Sequence, residues 1–247
     1  MKGQCLQVDA GNTQIKWRLT EEGVAVARGA SATADVAAGE ALALPSGRQF
    51  VQVAICSVAE DLVTRRLIDQ LQPMSDEPVQ VAKVARESVG VTCGYDQLSK
   101  LGVDRWMAVV AAAKHFPGDL VVVDAGSAIT IDIVDTGGAH RGGYIVPGLN
   151  LMRNALWSGT DRVKAEADWS GPVGEAATDT EPAVNRGCLY MAVSTIERMV
   201  EDFNGRLILT GGDADLLHSY LHCDADLVPD LVMDGLLLYV DQGGGEG

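Results

Sequence analysis

Two short turns that contain an aspartate and a glycine are the residues of this chain best suited to chemistry. They are VDAGNT, from Val8, and VDAGSA, from Val123, 115 positions later. Each turn follows an apolar run and precedes an alternating one, which predicts a strand, a tight turn and a second strand. Glycine lets the main chain approach a phosphate closely, and the N–H groups of such a turn can bind phosphate oxygens. An aspartate at the strand end can orient Mg²⁺, directly or through water.

An ordinary hairpin turn explains a single sequence of this kind equally well, because Asp, Asn and Gly are common turn residues. The chain, however, has the turn twice, once in each half, and a further glycine turn, TGGDA (210–214), after a late strand. The repetition at matching places favours a phosphate and metal site over two unrelated hairpins.

The segment GVDR (102–105) is the second candidate for chemistry. A phosphoryl acceptor hydroxyl needs a positioned carboxylate that takes its proton, and Asp104 could act as this general base. Alternatively, Asp104 caps the helical run WMAVVAAA that follows it. Arg105 could bind a substrate carboxylate, because a guanidinium matches carboxylate geometry, or it could form a surface salt bridge.

The elements that must position these residues repeat in the two halves, since the strand–turn–strand unit begins again after Pro117–Gly118. We therefore predict an α/β protein with two domains, 1–117 and 118–247. The predicted strands are near 4–8, 14–19, 24–28, 50–56, 120–124 and 128–134, with others through GGYIV and RLILT. The predicted helices are near 59–71, 106–116, after Gly148, near 181–203, after GGDA and from 229, with a linker or helix after the third strand.

Composition limits the classes of function. Hydrophobic residues at 47% and charged residues at 21% indicate a globular protein. No apolar run reaches the length of about 18 residues that suggests a membrane span, and the N-terminus lacks a signal-peptide pattern. Five scattered cysteines without C-x-x-C spacing favour free thiols in a reducing compartment. We therefore expect a cytoplasmic protein without a membrane partner. The formal charge of −15, without a basic cluster, disfavours nucleic acid but not ATP.

The three glycine turns together resemble the actin-like ATPase superfamily, which includes sugar kinases and heat-shock chaperones. The resemblance implies two related actin-like (ribonuclease H-like) domains, each a mixed sheet with helices on its faces, and a nucleotide in the cleft between them. The repeated turn would then be one phosphate loop from each domain.

Within that superfamily, several blocks resemble the signature of type III pantothenate kinases in order and spacing. The resemblance runs from about residue 6 to about residue 235 and departs at Ser127, where the family more often has threonine. Ser127 keeps a hydroxyl. The matching blocks are DAGNT (9–13), Tyr95, GVDR (102–105), DAGSA (124–128), GGYIVPG (142–148) and TEPAVNRG (180–187).

The resemblance implies ATP-dependent phosphorylation of pantothenate to 4′-phosphopantothenate, the first step of coenzyme A biosynthesis. It also implies Mg²⁺, a monovalent cation (K⁺ or NH₄⁺) bound by Asp124, and a homodimer in which Thr180 comes from the partner subunit. Asp104 would be the catalytic base. The implied ATP-binding residues are Asp9, Ala10, Gly11, Asn12, Thr13, Gln14, Ile15, Lys16, Ser127, Gly211 and Gly212. The implied pantothenate-binding residues are Tyr95, Gly102, Val103, Asp104, Arg105 and Thr180.

Each of these residues also has a simpler interpretation. Tyr95 could be a core aromatic residue, Thr180 a helix cap or loop residue, and Lys16 a solvated side chain. Gly211 and Gly212 could form an ordinary strand-to-helix turn.

Two other functions remain open from the sequence. One is another small-molecule kinase of the superfamily, against which GVDR, Tyr95 and Thr180 argue. The other is a regulatory accessory factor with weak or no kinase activity. An intact Asp104 and both aspartate–glycine turns disfavour loss of catalysis, and the acidic charge disfavours direct DNA binding.

Overall fold

The computed structural model describes residues 3–160, 163–172 and 174–243. It divides into two compact units, of which the second is Ala112–Asp230. The first joins the residues up to Ala111 to the segment that begins at Leu231. This division differs from the predicted domains in two ways: the junction lies inside a helix, and the C-terminal helix belongs to the first unit.

The described residues include seven α-helices, and all the predicted helices are among them. The segment that the sequence left as linker or helix is helical at Thr33–Ala38. The helices are α1 (Thr33–Ala38), α2 (Asp61–Leu71), α3 (Val103–His115), α4 (Leu149–Gly159), α5 (Thr180–Phe203), α6 (Ala214–His218) and α7 (Leu231–Asp241).

The first unit is built on a five-stranded mixed sheet with the order β3-β2-β1-β4-β5. The strands β1, β2 and β3 form an antiparallel meander, and β4 and β5 run parallel to β1. A separate two-stranded ribbon, β6 with β7, precedes α3. The strands are β1 (Gln4–Ala10), β2 (Gln14–Glu21), β3 (Val24–Ala32), β4 (Gln52–Ser57), β5 (Gln80–Val81), β6 (Glu87–Ser88) and β7 (Val91–Thr92).

The second unit repeats this plan strand by strand, with the order β10-β9-β8-β11-β12. Again three antiparallel strands are followed by two that run parallel to the first. Helix α5 buries Leu189 and Ile196 against this sheet, and its end is closed by Asn204 in the left-handed conformation. The strands are β8 (Leu120–Ala125), β9 (Ala128–Val134), β10 (His140–Pro147), β11 (Arg206–Thr210) and β12 (Ala225–Leu227).

The short strand β12 was not predicted, since three residues carry too little periodicity to be recognised. It pairs with β11, and Arg206 on β11 donates to Asp226 at 2.9 Å. The hydrogen bond from Arg206 holds the pKa of Asp226 below its usual range.

Helix α7 packs on the first sheet through residues that are far apart in sequence. Arg18, which is 5% exposed, donates to Asp234 on α7 at 2.6 Å and to Gln7 at 2.8 Å. Gly235 faces the main chain of α3 so closely that a Cβ atom there would lie 2.0 Å from the Met107 carbonyl oxygen. A glycine is therefore required where the two helices meet. Among the described residues, no helix is long and apolar enough to cross a membrane.

Candidate active site

Asp9 lies one residue before the end of β1, at the edge of the first sheet where the parallel strand β4 also ends. Its cross-strand neighbour on β2 is Lys16, so both side chains are on the same face of the sheet. Ala10 and Ile15 are fully buried in the core of this unit. Their side chains therefore belong to the core and do not face a bound molecule.

Hydrogen bonds within the turn after Asp9, and others from helix α1, fix the conformation of this turn. The Gly11 N–H donates to the Gln14 carbonyl at 3.0 Å, and a Cβ atom on Gly11 would lie only 3.1 Å from that oxygen. Thr33, at the start of α1, donates its N–H to the Thr13 carbonyl at 3.0 Å and its hydroxyl to the Gly11 carbonyl at 2.8 Å. Asn12, Thr13 and Gln14 are exposed on the outer side. The turn thus has the fixed shape and the open outer face that suit a phosphate.

In the second unit, Asp124 occupies the equivalent position on β8, and the TGGDA turn packs directly against it. Gly211 has a φ of 102°, and a Cβ atom there would lie 2.5 Å from Asp124 Oδ1 and 2.3 Å from the Ala125 carbonyl oxygen. The Asp213 N–H donates to the same carbonyl at 2.8 Å. Two of the predicted site turns are therefore brought into contact, and only glycine fits between them.

The second aspartate–glycine turn is one residue shorter than the first. The Gly126 N–H donates to the Ala128 carbonyl at 2.9 Å, whereas Gly11 reaches the third residue after it. Gly148, at the start of α4, supports the turn by donating its N–H to the Ser127 carbonyl at 3.1 Å. The Ser127 side chain is exposed at the tip of the turn, as is Gly212 in the neighbouring turn.

The GVDR residues and Tyr95 form a connected group in the first unit. Asp104 is the second residue of α3, and its Oδ1 atom accepts the N–H of Arg105 at 2.8 Å. Arg105 is 5% exposed and donates from Nη1 to the Tyr95 hydroxyl at 3.1 Å. Its guanidinium also lies 5.8 Å from the centre of the tyrosine ring. Because Arg105 is buried, the interpretation of it as a surface salt-bridge residue is wrong. Asp104 was considered as a cap before the helix, but it lies inside the first turn of α3, which begins at Val103.

Two residues of this group, Gly102 and Val103, line an open groove of about 580 Å³ in the first unit. One side is Gly102 and Val103; the other is Ser57 and Val58, at the end of β4. The Val58 N–H donates to the Ala10 carbonyl at 3.0 Å, so this side of the groove is continuous with the Asp9 turn. Lys83 and Lys100 also line the groove. Their positive charge suits an anionic molecule.

Thr180 is the first residue of α5 and is exposed. The helix cap is Asp179, whose side chain accepts the Thr180 N–H at 2.6 Å. The capping role considered for Thr180 is therefore taken by its neighbour. Thr180, Asp124, Ser127, Gly211 and Gly212 belong to the second unit, while Asp9, Tyr95 and GVDR belong to the first.

The oxygen atoms around Asp124 suit a metal ion that takes only a few protein ligands. In the described part of the chain there is no group of three or more His, Cys, Asp or Glu side chains that could hold a metal. A carboxylate and main-chain carbonyls are nevertheless the ligands of hard cations, and Mg²⁺ commonly completes its shell with water and substrate phosphates. The donor set therefore fits ions that bind together with a nucleotide.

Two mixed sheets of identical strand order, each with an aspartate–glycine turn at the end of its central strand, define an actin-like ATPase fold. A solved structure from Campylobacter jejuni, assigned to the Baf family of transcriptional activators, matches with a TM-score of 0.64 at 21% identity. The match covers 97% of this chain and 100% of the Campylobacter jejuni chain. Component A of (R)-2-hydroxyglutaryl-CoA dehydratase from Acidaminococcus fermentans matches with a TM-score of 0.51 at 12% identity, over 98% of both chains. At these identities the likeness shows the fold alone.

Sequence comparison narrows the class further. The family model of type III pantothenate kinase matches residues 5–202. The type III pantothenate kinase of Pseudomonas savastanoi pv. phaseolicola is 37% identical over 244 residues, which covers 94% of this chain and 97% of the relative. That of Chromohalobacter salexigens is 38% identical over 240 residues, covering 94% and 85%. The chain belongs to the type III pantothenate kinase family.

Proposed function

We propose that this protein catalyses the ATP-dependent phosphorylation of pantothenate to 4′-phosphopantothenate, the first step of coenzyme A biosynthesis. Membership of the family supports the reaction. The observation in the structure that carries the proposal is that Asp104, linked to Arg105 and Tyr95, directly follows Gly102 and Val103, which line an open groove. The scattered cysteines are consistent with a cytoplasmic location, which we propose with it.

The acceptor hydroxyl of pantothenate binds at Asp104, which takes its proton as the new O–P bond forms. Asp104 is oriented by its hydrogen bond from the Arg105 main chain, so the carboxylate needs little rearrangement before reaction. Arg105 and Tyr95 bind the polar groups of pantothenate, and Gly102 and Val103 line the groove. Because Arg105 is buried, its guanidinium has a fixed position, whereas the guanidinium of a solvated arginine would be mobile.

In the first unit, the turn after Asp9 binds the phosphates of ATP. In the second unit, Ser127 contacts ATP, and Gly211 and Gly212 border its nucleoside. Main-chain N–H groups of Gly11, Asn12 and Thr13 bind phosphate oxygens, and Lys16 adds a positive charge on the same sheet face. When bound, Mg²⁺ would neutralise charge on the phosphates, and Asp124 would hold a monovalent cation in the second unit.

We further propose a homodimer that forms through the second unit. Large apolar side chains are exposed on its edge strand β10 and on helices α4 and α5, among them Ile145 at 63% and Met191 at 61%. Exposed apolar patches of this kind mark interaction surfaces. Thr180, the exposed first residue of α5, is the residue that we propose to serve the partner's substrate site. The other exposed members are Tyr144, Leu151, Leu156, Trp157, Tyr190 and Phe203.

The test is ADP release from ATP with pantothenate, compared with a panel of sugars and acetate, and identification of the product by mass. We expect turnover with pantothenate only. The variant Asp104→Asn is close in shape but removes the base, so kcat should fall by about 10²- to 10⁴-fold while ATP binding remains. Turnover with a sugar but not with pantothenate would contradict the proposal, and so would an Asp104→Asn variant that keeps more than about a tenth of kcat.

A further inference from the structure

Tyr95 lies in an irregular loop, between strand β7 and the short turn Leu98–Lys100, and one side chain outside this loop holds it. The guanidinium of Arg86 donates to the main-chain carbonyls of Cys93 at 3.0 Å, Tyr95 at 2.8 Å and Asp96 at 3.0 Å. Three carbonyl groups of the loop thus converge on one cation.

The β6–β7 ribbon places Arg86 where it can do this. Ser88 pairs with Val91 and Glu87 with Thr92, and the pairing continues as the Cys93 N–H donates to the Arg86 carbonyl at 2.8 Å. The tight turn that closes the ribbon has Val89 at a φ of 50°. A β-branched residue rarely adopts this conformation. This strained turn closes the ribbon. The ribbon in turn places Arg86 opposite Cys93, where the Tyr95 loop begins.

Arginine is the side chain suited to this arrangement. Its planar guanidinium presents five N–H donors in a fixed fork, so it can bind several carbonyls at defined angles. A lysine ammonium has three donors on a flexible stem and cannot reproduce the fork. The residues from Gly94 to Asp96 belong to no helix or strand, so sheet and helix hydrogen bonds do not fix their conformation.

The loop in turn positions the proposed acceptor site. The Tyr95 hydroxyl is 3.1 Å from Nη1 of the buried Arg105, and Arg105 is adjacent to Asp104. A displaced loop would move the hydroxyl away from Arg105 and break the hydrogen bond between them. A misplacement of about 1 Å near the reacting groups can lower the reaction rate roughly 100-fold.

We propose that Arg86 is a positioning residue for the acceptor substrate: by binding the three carbonyls it fixes Tyr95, and through Tyr95 it fixes Arg105. This inference rests on the proposed pantothenate kinase function. Arg86 does not line the groove and acts through the Tyr95 loop, so we expect its effect to fall on the acceptor and not on ATP.

The test compares Arg86→Ala and Arg86→Lys with a matched control, Arg66→Ala. Arg66 is in the same unit and also donates to main-chain carbonyls, those of Val36 at 2.9 Å and Ala37, at the end of helix α1. For each protein, kcat, the KM values for pantothenate and ATP, and the melting temperature are measured. Amide hydrogen exchange of residues 93–97 reports on the loop without any substrate.

We expect Arg86→Ala to raise the KM for pantothenate by about 10-fold or more, with the KM for ATP unchanged, and to speed exchange in the loop. Arg86→Lys should remain impaired because it lacks the fork. In Arg66→Ala both KM values and the loop exchange should stay as in wild type, whatever happens to its melting temperature. Adding Tyr95→Phe to Arg86→Ala should cost less than the product of the two separate effects, because both changes disturb the same contact.

An unchanged pantothenate KM in Arg86→Ala would overturn the proposal. Equal increases in both KM values, full rescue by lysine, or loop exchange as slow as in wild type would do the same. Wild-type protein that binds ATP but does not turn over pantothenate would instead overturn the proposed function, and with it the acceptor role of Arg86. The wild-type control therefore separates the two failures.

Discussion

Replacing Gly102 by alanine should damage catalysis while leaving the fold intact. A Cβ atom at this position would lie 2.5 Å from Oδ1 of Asp104, well inside contact distance. The next nearest atoms belong to the side chains of Asp104 and Arg105, at 3.6 and 3.9 Å. The clash is therefore confined to the carboxylate that we propose as the catalytic base.

The size of the effect follows from the movement that the carboxylate has to make. Ordinary van der Waals contact begins near 3.4 Å, so Oδ1 must shift by about 0.9 Å. That shift also lengthens the 2.8 Å hydrogen bond from the Arg105 N–H that orients it. Since a misplacement of about 1 Å can cost roughly 100-fold in rate, we expect kcat to fall by about that factor. Stability should change by less than about 1 kcal/mol, because a short side chain can rotate away.

The assay is steady-state ADP release at saturating ATP and pantothenate, with thermal unfolding of the same samples. Gly159→Ala is the control, since nothing lies within 4 Å of a Cβ atom there. It should keep wild-type kcat. If Gly102→Ala also keeps kcat within about twofold, the position of Asp104 does not limit the reaction and the reasoning fails. A loss of activity that only follows a fall in melting temperature would contradict it as well.

Three further predictions concern stability, the cation and assembly. Gly235→Ala should lower the free energy of unfolding by about 1–3 kcal/mol or more, because its Cβ atom would meet the main chain of α3; chemical denaturation with Gly159→Ala as control measures this. Replacing Na⁺ by K⁺ at constant ionic strength should raise activity, and Asp124→Ala should abolish that response; equal rates in both salts would refute the assignment. Met191→Lys should shift the protein from dimer to monomer in light scattering and reduce turnover, whereas Leu62→Lys, at a 50% exposed position on α2, should not.

The strand–turn–strand units could be predicted from the sequence because their signals are local. Apolar runs that end in aspartate and glycine specify a strand and its turn within about ten residues. The same local signals predict that Asp9 and Asp124 lie at equivalent strand ends, and the structure confirms these positions. The packing of TGGDA against Asp124 follows from the parallel pairing of β8 with β11, which a periodic pattern does not encode.

Features that depend on distant residues could not be predicted. The assignment of α7 to the first unit depends on Arg18 meeting Asp234, 216 positions away, and on the missing side chain of Gly235. The role of Arg86 was also invisible, since a lone arginine in a polar stretch has the appearance of a solvated residue. A signal was present in the spacing, because arginine before a tight Val–Gly turn and cysteine after it suit a two-stranded ribbon. The carbonyl contacts of Arg86 become apparent only once the ribbon is built.

The two aspartate–glycine turns lie at equivalent strand ends but have different surroundings, and this difference supports separate roles. Opposite Asp9 the neighbouring strand carries Lys16, a cation that favours phosphate on that face of the sheet. Opposite Asp124 it carries Thr130, which is neutral, and on the other side the carboxylate meets the main chain around Gly211. An environment of carboxylate and carbonyl oxygens favours a bound cation, whereas one with a lysine favours an anion. We therefore assign the phosphates of ATP to the first turn and the monovalent cation to the second.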